Sequence, residues 1–544
     1  MKRSRILLLS VPLALVIMLV GCGGDSTNIP TFLSRNLGIY QNPFMSPNPR
    51  NNMHNDTYMT DSYLTAGPTT ASKYSVRQLD SVQFIDPKTG QPRTVLMGEC
   101  AAPCFDRQGN ILTYSAGVGI PNTETTVIRS IMALDPVTFQ VVAYTEYKKT
   151  GMLDPNDFGG AGYFYVDNQD RMVVGTPDGH VQVLRRQPSK VSTTDEYVAD
   201  LDVNITGDGG PVTVNPDVLK DTNTTTPKLY ALMPDKAGNI WFTVGQGIVG
   251  YIMPDKTVMQ LDLNDPTGSG NYVRQYDNHF EQIANSQPID EGDDGGPSGM
   301  YVASTYKQYR LQAGPKGPEI VWQIAYDHGD YQKSGQVSHG TGTSPTIFKM
   351  GGRKFVTIAD NSMYMHINVY RAEAHLNPGE SRLFAQIAPF GDNPDISDEN
   401  SLIVAPAADG SYCDIYCENN WGYKDSSSVS GNNTTLPGFA RVRVTPDGTI
   451  TVGSVNTTIS VPSLVSKISI PAQTVYTYNK SSDGWWYFTG LDSQELNNVR
   501  FSVRVGPGNA AYDNHYAGVS MSPTERNTFF FGTILGLTRV TIVP

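Results

Sequence analysis

The fold is decided by a hairpin that reads EQIANSQPIDEGDDGGPSGMYVAS from Glu281 to Ser304. This pattern predicts a strand ending at Ile289, a solvated turn rich in glycine and aspartate, and a second strand from Met300. The stretch ENSLIVAPAADGSYC, from Glu399 to Cys413, repeats the same order of an Asn-Ser pair, an apolar run, a turn and a returning strand. The chain is therefore predicted to be built by repeating this hairpin.

Similar turns followed by strands recur through the rest of the chain. Clear examples are PDKAGNIWFT from Pro234 to Thr243 and VTPDGTITV from Val444 to Val452. The Gly-Asn and Asp-Gly pairs supply the positive φ angles of tight turns, and the residues after them are β-branched or aromatic. The units recur about every 40 to 60 residues, which is the spacing of β-propeller blades.

The predicted fold class is all-β, with a single β-propeller over residues 76–544. Eight blades are predicted, with seven as the alternative. We expect the strands from Tyr516 to Val543 to complete the last blade with an N-terminal strand near Ser81 to Leu96, because closure removes an open sheet edge. A composition of 39% hydrophobic residues, 52 glycines and 36 prolines supports a folded chain dense in turns.

The N-terminus has the pattern of a secretory signal. Lys2, Arg3 and Arg5 precede an apolar run from Ile6 to Val20. The run is shorter than the ~20 residues that cross a bilayer, which favours a signal over the alternative of a membrane-spanning helix.

The end of this run, Leu19-Val20-Gly21-Cys22, resembles the lipobox of bacterial lipoproteins. The resemblance implies a signal over residues 1–22, lipidation of Cys22, and attachment of the protein to a membrane of the bacterial cell envelope. Glycine rather than aspartate at position 23 implies the outer membrane, with the protein facing the periplasm or the cell surface. Residues 23–75 are rich in Asn, Pro, Ser and Thr without periodicity, which predicts a flexible, disordered tether.

Charge and cysteine content set further limits. A formal net charge of −12 argues against a nucleic-acid partner, which would need a basic surface. Beyond Cys22, the cysteines form two pairs, Cys100 with Cys104 and Cys413 with Cys417. Outside the cytoplasm such cysteines predict disulfides, whose connectivity the spacing leaves open, and a zinc site is the alternative.

Polar residues open the predicted inner strands, where the blades of a propeller converge on its axis. The predicted channel-lining residues are Ser286, Thr343, Ser344, Glu399, Ser401 and Asn514. Their oxygens suit a hard cation such as Ca²⁺, ordered water in a structural channel, or a directly bound organic ligand. His339 and His515 lie at predicted channel mouths and are candidates for a general base, with a structural role as the alternative.

The Asn-Ser hairpins and the central Glu/Asn set resemble two families, the SMP-30/gluconolactonase-type calcium propellers and the PQQ-like propellers. The first resemblance implies a divalent ion that polarises a lactone carbonyl, with Glu99, Asn285 and Asn400 as its ligands. The second implies quinone chemistry, although the five tryptophans do not follow the regular docking motifs of that family.

The expected function is a binding or scaffolding module at the envelope, whose partner is a small molecule or another envelope protein. The alternative is an enzyme, either a lactonase-like metal-dependent hydrolase or a quinone-dependent oxidoreductase. The sequence contains neither a Gly-x-Ser-x-Gly elbow nor a His-Glu-x-x-His motif, so serine hydrolase and zincin mechanisms have no motif support.

The lipobox yields a first prediction. Cys22→Ser should remove the lipid-modified mass from the N-terminal peptide and move the protein from the membrane fraction to the soluble fraction, because no acyl chain remains to enter the bilayer. Mass spectrometry and cell fractionation measure this. Gly23→Asp is the matched control, since it should keep the lipid; an unchanged membrane fraction for Cys22→Ser would contradict the prediction.

Overall fold

The computed structural model describes residues 37–120, 126–150, 162–275, 278–283, 285–336 and 339–544. The predicted signal, Cys22 and the first part of the predicted tether lie outside the described residues. Within them, strands dominate and fall into successive antiparallel groups, numbered here in chain order.

Three strands precede the first group, and they pair with strands of groups 7, 8 and 1 in turn. They are β1 (Ser62–Tyr63), β2 (Lys73–Leu79) and β3 (Ser81–Ile85).

Groups 1 to 4 occupy the first half of the body. Group 1 contains β4 (Pro92–Phe105), β5 (Ile111–Ile120), β6 (Thr126–Leu134) and β7 (Val141–Thr150). Group 2 contains β8 (Tyr165–Val166), β9 (Met172–Gly175), β10 (His180–Gln187) and β11 (Asp195–Asn204). Group 3 contains β12 (Leu229–Pro234), β13 (Ile240–Val244), β14 (Ile248–Ile252) and β15 (Val258–Asp262), and group 4 contains β16 (Met300–Ala303), β17 (Lys307–Gly314) and β18 (Gly317–Ala325).

Groups 5 to 8 complete the chain. Group 5 contains β19 (Thr346–Met350), β20 (Arg353–Ala359), β21 (Ile367–Arg371) and β22 (Leu383–Ile387). Group 6 contains β23 (Ile403–Pro406), β24 (Cys413–Glu418), β25 (Phe439–Val444) and β26 (Ile450–Asn456). Group 7 contains β27 (Lys467–Ser469), β28 (Thr474–Lys480), β29 (Trp485–Asp492) and β30 (Val499–Pro507), and group 8 contains β31 (Ser520–Met521), β32 (Thr528–Thr533) and β33 (Gly536–Val543).

Two short helices lie in the connecting loops. Helix α1 (Pro216–Asp221) is capped by Asn215, whose side chain accepts a hydrogen bond from the Asp217 N–H, and a 3₁₀ helix spans Ser426–Val429. No helix among the described residues combines the length and the apolar character that crossing a membrane requires.

The pairing confirms the predicted all-β propeller, and it corrects the strand that closes the ring. β33 pairs along its length with β2, from Lys73 opposite Val543 to Leu79 opposite Leu537. β3 instead forms a hairpin with β4 in group 1. One continuous sheet joins groups 8, 1 and 2, through the pairing of β33 with β4 and of β7 with β11, so the number of blades stays a prediction.

The predicted turns share one hydrogen-bonding pattern. In the turns after β4 and β12, the first aspartate, Asp106 or Asp235, accepts hydrogen bonds from both the backbone and the side-chain amide of an asparagine four residues on, at 2.6–3.0 Å. The intervening glycines have φ of 85° and 87°, a conformation that glycine adopts without strain. These turns therefore repeat because the residue order Asp-x-x-Gly-Asn satisfies its own polar groups.

The base of the turn in the opening hairpin is buried, whereas Asp294, Gly295 and Pro297 at its tip are exposed, so the predicted solvated turn holds for the tip alone. Ile289 pairs with Met300, as expected for two returning strands. Asp290 is 0% exposed; its Oδ1 accepts from the Gly292 and Gly299 N–H groups at 2.7 Å, and its Oδ2 accepts from Lys354 Nζ at 2.7 Å. A buried carboxylate needs such partners.

Residues 50–63, called the axial segment below, run past the inner strands of six groups. Seven carbonyls along the segment accept a hydrogen bond from an N–H of an inner strand or of a residue next to one. The bonds are Phe105 N to Arg50 O (3.3 Å), Val166 N to Asn51 O (2.6 Å), Ile289 N to Thr57 O (2.9 Å), Ile347 N to Tyr58 O (2.9 Å), Val404 N to Thr60 O (3.1 Å), Ile468 N to Asp61 O (3.0 Å) and Ile470 N to Tyr63 O (3.1 Å). β1, at the end of the segment, pairs in parallel with β27.

The prediction of a flexible tether over residues 23–75 is therefore wrong for residues 37–64. All of residues 50–64 are buried, and Tyr58 and Asp61 are 0% exposed. The segment lacks a periodic apolar pattern because it does not form a face of a sheet. It is held by the inner strand edges of the ring, whose N–H groups would otherwise lack partners.

The predicted disulfides are also wrong. Among the described residues there is no disulfide, and Cys100, Cys104, Cys413 and Cys417 are buried thiols. Each pair lies four residues apart on one strand, β4 or β24, a separation of about 13 Å that exceeds the roughly 7 Å limit for bridging. Burial raises the pKa of Cys100 and Cys104 to about 12, so these groups stay protonated.

The axial segment yields a second prediction. Tyr63→Phe should lower the free energy of unfolding by about 1–3 kcal/mol, because the buried Tyr63 hydroxyl donates to Val519 O and accepts from Met521 N, and its loss leaves both groups without a partner. Urea denaturation measures this. Tyr74→Phe, at a side chain that is 46% exposed, is the control and should change stability by less than ~0.5 kcal/mol; equal effects would count against the segment's role.

Candidate ligand site at the mouth of the axis

The ring has a mouth, defined here as the end of the axis where the inner strands begin. A cavity of about 590 Å³ opens there. It is lined by Gln332, Lys333, Ser334, Gly335, Gln336, Tyr423, Lys424 and Tyr516. These residues come from the loop before β19, the loop after β24 and the loop before β31, so three groups build one site.

The loop before β19 is held in place by side chains from its neighbours. Asn361 Nδ2 donates to His328 O at 2.8 Å and to Tyr331 O at 3.0 Å. Lys333 Nζ donates to Ser362 O at 2.6 Å and to Ile396 O at 3.0 Å. Burial lowers the pKa of Lys333 to about 8, while the nearby carboxylates of Asp360 and Asp327 oppose that shift.

Two tyrosines and a histidine form the opposite wall. The rings of Tyr423 and Tyr516 meet edge to face at 5.8 Å, and His515 contacts both, at 6.0 and 4.9 Å between centroids. The hydroxyls are already engaged, since Tyr516 donates to Gly335 O and Tyr423 to Asn514 O, both at 3.0 Å. Tyr423 is buried and Tyr516 is half-buried, so the ring of Tyr516, rather than either hydroxyl, is what this wall offers a ligand.

Behind this wall, His515 pairs with Glu99. Nδ1 of the histidine lies 2.9 Å from Glu99 Oε1, and both residues are more than nine-tenths buried. Burial lowers the pKa of His515, but Glu99 and the more distant Asp513 outweigh it, and the pKa lies above its ordinary value. Burial also raises the pKa of Asp513 to about 7. Asp513, behind the wall, thus exchanges a proton near neutral pH.

Deeper along the axis, the axial segment meets the inner strands through polar contacts. His54 Nδ1 lies 2.9 Å from Ser401 Oγ and 3.1 Å from Asp61 Oδ2, and Ser401 also donates to Asp61. This trio has the composition of a serine-hydrolase triad but not its geometry, because serine and aspartate share one imidazole nitrogen and Nε2 has no hydrogen-bond partner. It joins the segment to the ring and does not relay a proton.

The structure places several predicted channel residues in one buried hydrogen-bonded cluster. Ser286 Oγ and Ser344 Oγ are 2.8 Å apart, and Ser286 also donates to Met59 Sδ of the axial segment. Asn285 donates to Thr341 O at 3.2 Å, and the Thr343 hydroxyl lies 2.8 Å from that of Thr341. Ser286 thus contacts the axial segment directly, Ser344 contacts Ser286, and Asn285 and Thr343 contact Thr341, while the channel-lining role stays a prediction.

The remaining predicted residues are separate from that cluster. The Glu399 carboxylate lies against Gly342, where a Cβ would be 2.1 Å from Oε1. Asn514 donates to Gly532 O at 2.8 Å and to Ala517 O at 3.2 Å. His339 is half-buried and its Nε2 lies 3.0 Å from Gly329 O, so of the two candidate histidines only His515 contacts residues that line the cavity.

Each of the three predicted metal ligands meets a different protein partner, and their shared calcium centre stays a prediction. Glu99 pairs with His515, Asn285 donates to a backbone carbonyl, and Asn400 donates to Glu418 Oε2 at 2.9 Å and to Leu464 O at 2.8 Å. Burial raises the pKa of Glu418 to about 7, and burial together with Glu418 raises that of Asp398 well above its ordinary value. No cluster of three His, Cys, Asp or Glu side chains in the described part of the chain is arranged to hold a metal, which also argues against the zinc alternative.

Sequence reasoning missed the residues that line the cavity. Tyr423 follows an inner hairpin and Tyr516 directly follows the predicted His515, so their positions near inner strands were a usable signal. Lys333 lies in a long loop whose path across the mouth depends on contacts with Ser362 and Ile396. No local sequence pattern indicates that Lys333 lines a cavity.

Comparisons with known proteins agree with this architecture. No protein-family model matches the chain. Quinohemoprotein alcohol dehydrogenase from Comamonas testosteroni is similar in structure, with a TM-score of 0.51, 10% identity, and coverage of 94% of this chain and 82% of that chain. A europium-containing methanol dehydrogenase covers 88% of this chain and 89% of its own, at 10% identity and a TM-score of 0.45.

At such identities the similarity shows the fold alone. One curated relative, an uncharacterized protein from Archaeoglobus fulgidus, is 27% identical over 137 residues, which are 24% of this chain and 23% of that protein. Fold and site together define a β-propeller with a filled axis and a polar cavity at one mouth.

The His515–Glu99 pair yields a third prediction. Glu99→Gln should lower the pKa of His515 by about one unit or more, because burial then acts without the compensating charge. Titration of the His515 ring by NMR measures this.

The same pair makes stability depend on pH. A raised histidine pKa contributes stability that is present below the unfolded value of about 6.5 and is lost as pH rises through the folded value. Glu99→Gln should therefore cost more stability near pH ~6 than near pH ~9. Glu525→Gln is the control; an identical His515 titration in both variants would show that the pair does not set this pKa.

Proposed function

We propose that this chain is a β-propeller binding module that takes a small polar ligand in the cavity at its mouth and is held at the cell envelope by a lipid on Cys22. The observation that carries the proposal is the cavity itself, about 590 Å³ and backed by a filled axis. Ligand sites in proteins have volumes of about 300–1,000 Å³. A ring whose axis is occupied cannot serve as a pore, so its mouth is the place for a ligand.

The chemistry of the lining supports a polar ligand. Lys424 is exposed at the rim, and Gln332 and Ser334 lie beside it. The half-buried ring of Tyr516 supplies apolar contact, while its hydroxyl is occupied within the protein. An ammonium group, an amide and a hydroxyl near one aromatic ring suit a hydroxylated or acidic ring compound.

The binding role is favoured over the two enzyme alternatives. The lactonase-like hypothesis requires that Glu99, Asn285 and Asn400 bind one divalent ion. Each of these side chains has a different protein partner. The quinone-dependent reading has support only from a similarity of fold. A small-molecule partner is favoured over an envelope protein because the site is a cavity with a few convergent polar groups.

The proposal yields a fourth prediction. Ser334→Trp should fill the cavity and weaken binding of the co-purifying ligand at least about tenfold, because the indole occupies the volume that the ligand needs. Native mass spectrometry of protein purified from its own envelope, before and after incubation with an envelope small-molecule extract, measures the bound mass.

Lys88→Trp, in an exposed turn between β3 and β4, is the matched control and should retain the wild-type bound mass. The proposal fails if wild-type protein binds nothing from the extract, or if both tryptophan variants bind the same mass equally well.

A further inference from the structure

The inner strand edges that bond to the axial segment, called the inner rim below, have the features of a peptide-binding site. The seven backbone hydrogen bonds described above connect one short segment to the inner edges of six strand groups. Recognition of an extended chain through its backbone, with pockets for selected side chains, is the general mode by which sheet edges bind peptides.

Two aromatic side chains of the axial segment occupy pockets in the ring. Tyr58 is 0% exposed, packs with Tyr301 and Ile347, and donates to Glu291 Oε2 at 2.5 Å. Tyr63 packs among residues of groups 6, 7 and 8 and bridges to β31 through its hydroxyl. Buried aromatic anchors of this kind dominate the binding energy of protein interfaces.

A buried lysine of the ring, Lys467, also contacts the axial segment. Lys467 is 1% exposed; its Nζ donates to Asn55 Oδ1 at 2.6 Å and to Met53 O, and it lies 3.6 Å from Asp61 Oδ1. Burial lowers the pKa of Lys467, while Asp61 opposes that shift. Three residues of the segment, Met53, Asn55 and Asp61, therefore supply partners that the ammonium group needs in this buried position.

The connection between the segment and the ring is partly exposed. Thr65, Ala66, Thr69 and Thr70 are exposed, and they link β1 to β2 without belonging to any strand. The connection also bonds to group 7, since Thr65 O accepts from Ser469 Oγ at 2.7 Å and Pro68 O accepts from the Tyr476 hydroxyl at 2.9 Å. These bonds and the covalent link add to the contacts by which the ring holds the axial segment.

We propose that the inner rim is a peptide-binding site whose occupant is this chain's own axial segment, and that the segment stays bound, and can be exchanged, after the chain is cut between β1 and β2. The site is distinct from the cavity at the mouth and does not depend on the proposed function. The proposal predicts that a second copy of the axial segment, supplied as a peptide, competes for the inner rim.

The experiment uses the full chain with residues 65–70 replaced by a protease recognition sequence. After cutting, the N-terminal fragment should elute with the body in gel filtration at one-to-one stoichiometry. A fluorescent synthetic peptide of residues 46–64 should then replace it over time, which fluorescence anisotropy measures. Tyr58→Ala in the fragment should speed release at least about tenfold, whereas Tyr40→Ala, at a half-buried tyrosine outside the axial segment, should change it far less.

Three results would overturn the proposal. The first is release of the cut fragment during gel filtration while the body keeps its elution volume and its β-sheet circular dichroism. The second is unfolding of the body as the fragment leaves, because a binding site must outlast its occupant. The third is equal release rates for Tyr58→Ala and Tyr40→Ala, which would mean that the anchor does not recognise the rim.

Discussion

The structure depends on the hydrogen bonds between the axial segment and the inner strands of the ring. A ring of sheets brings many strand edges to one axis, and each edge carries N–H groups that need partners. Water in an open channel can supply them, but here one stretch of chain does so for six groups in turn. The segment thereby fixes the positions of the groups relative to one another and turns the axis into core.

Because the axial segment fills the axis, the open cavity lies at the mouth and is lined by loops. Polar residues at the starts of the inner strands, such as Ser286 and Ser401, are bound to the segment and not to solvent. The cavity that remains open lies between the loop before β19, the loop after β24 and the loop before β31. The cavity is consequently built by loops, whereas the scaffold that orients those loops is built by strands, a common division of labour in proteins that bind ligands.

The residues of the predicted site are buried in the ring. The polarity of Glu99, Asn285 and Asn400 predicted positions near the axis, and all three are buried. Their interpretation as one cation centre stays a prediction, because residue type does not reveal which partner each group meets. Glu99 meets a histidine, His515, that is more than 400 positions away in the chain, and the pair exists only because the ring brings its first and last groups together.

The sequence by itself determined the all-β class, the repeated hairpins and the turns, because these depend on contacts among residues a few positions apart, as in Asp106 with Asn110. Tertiary structure alone decided three features: the burial of residues 50–64, the closure of the ring by β2, and the cavity at the mouth. The physical reason is the distance along the sequence between the residues whose contacts decide each feature. A polar, aperiodic segment has the composition of a disordered chain, and only the unpaired edges of distant strands give it a folded place.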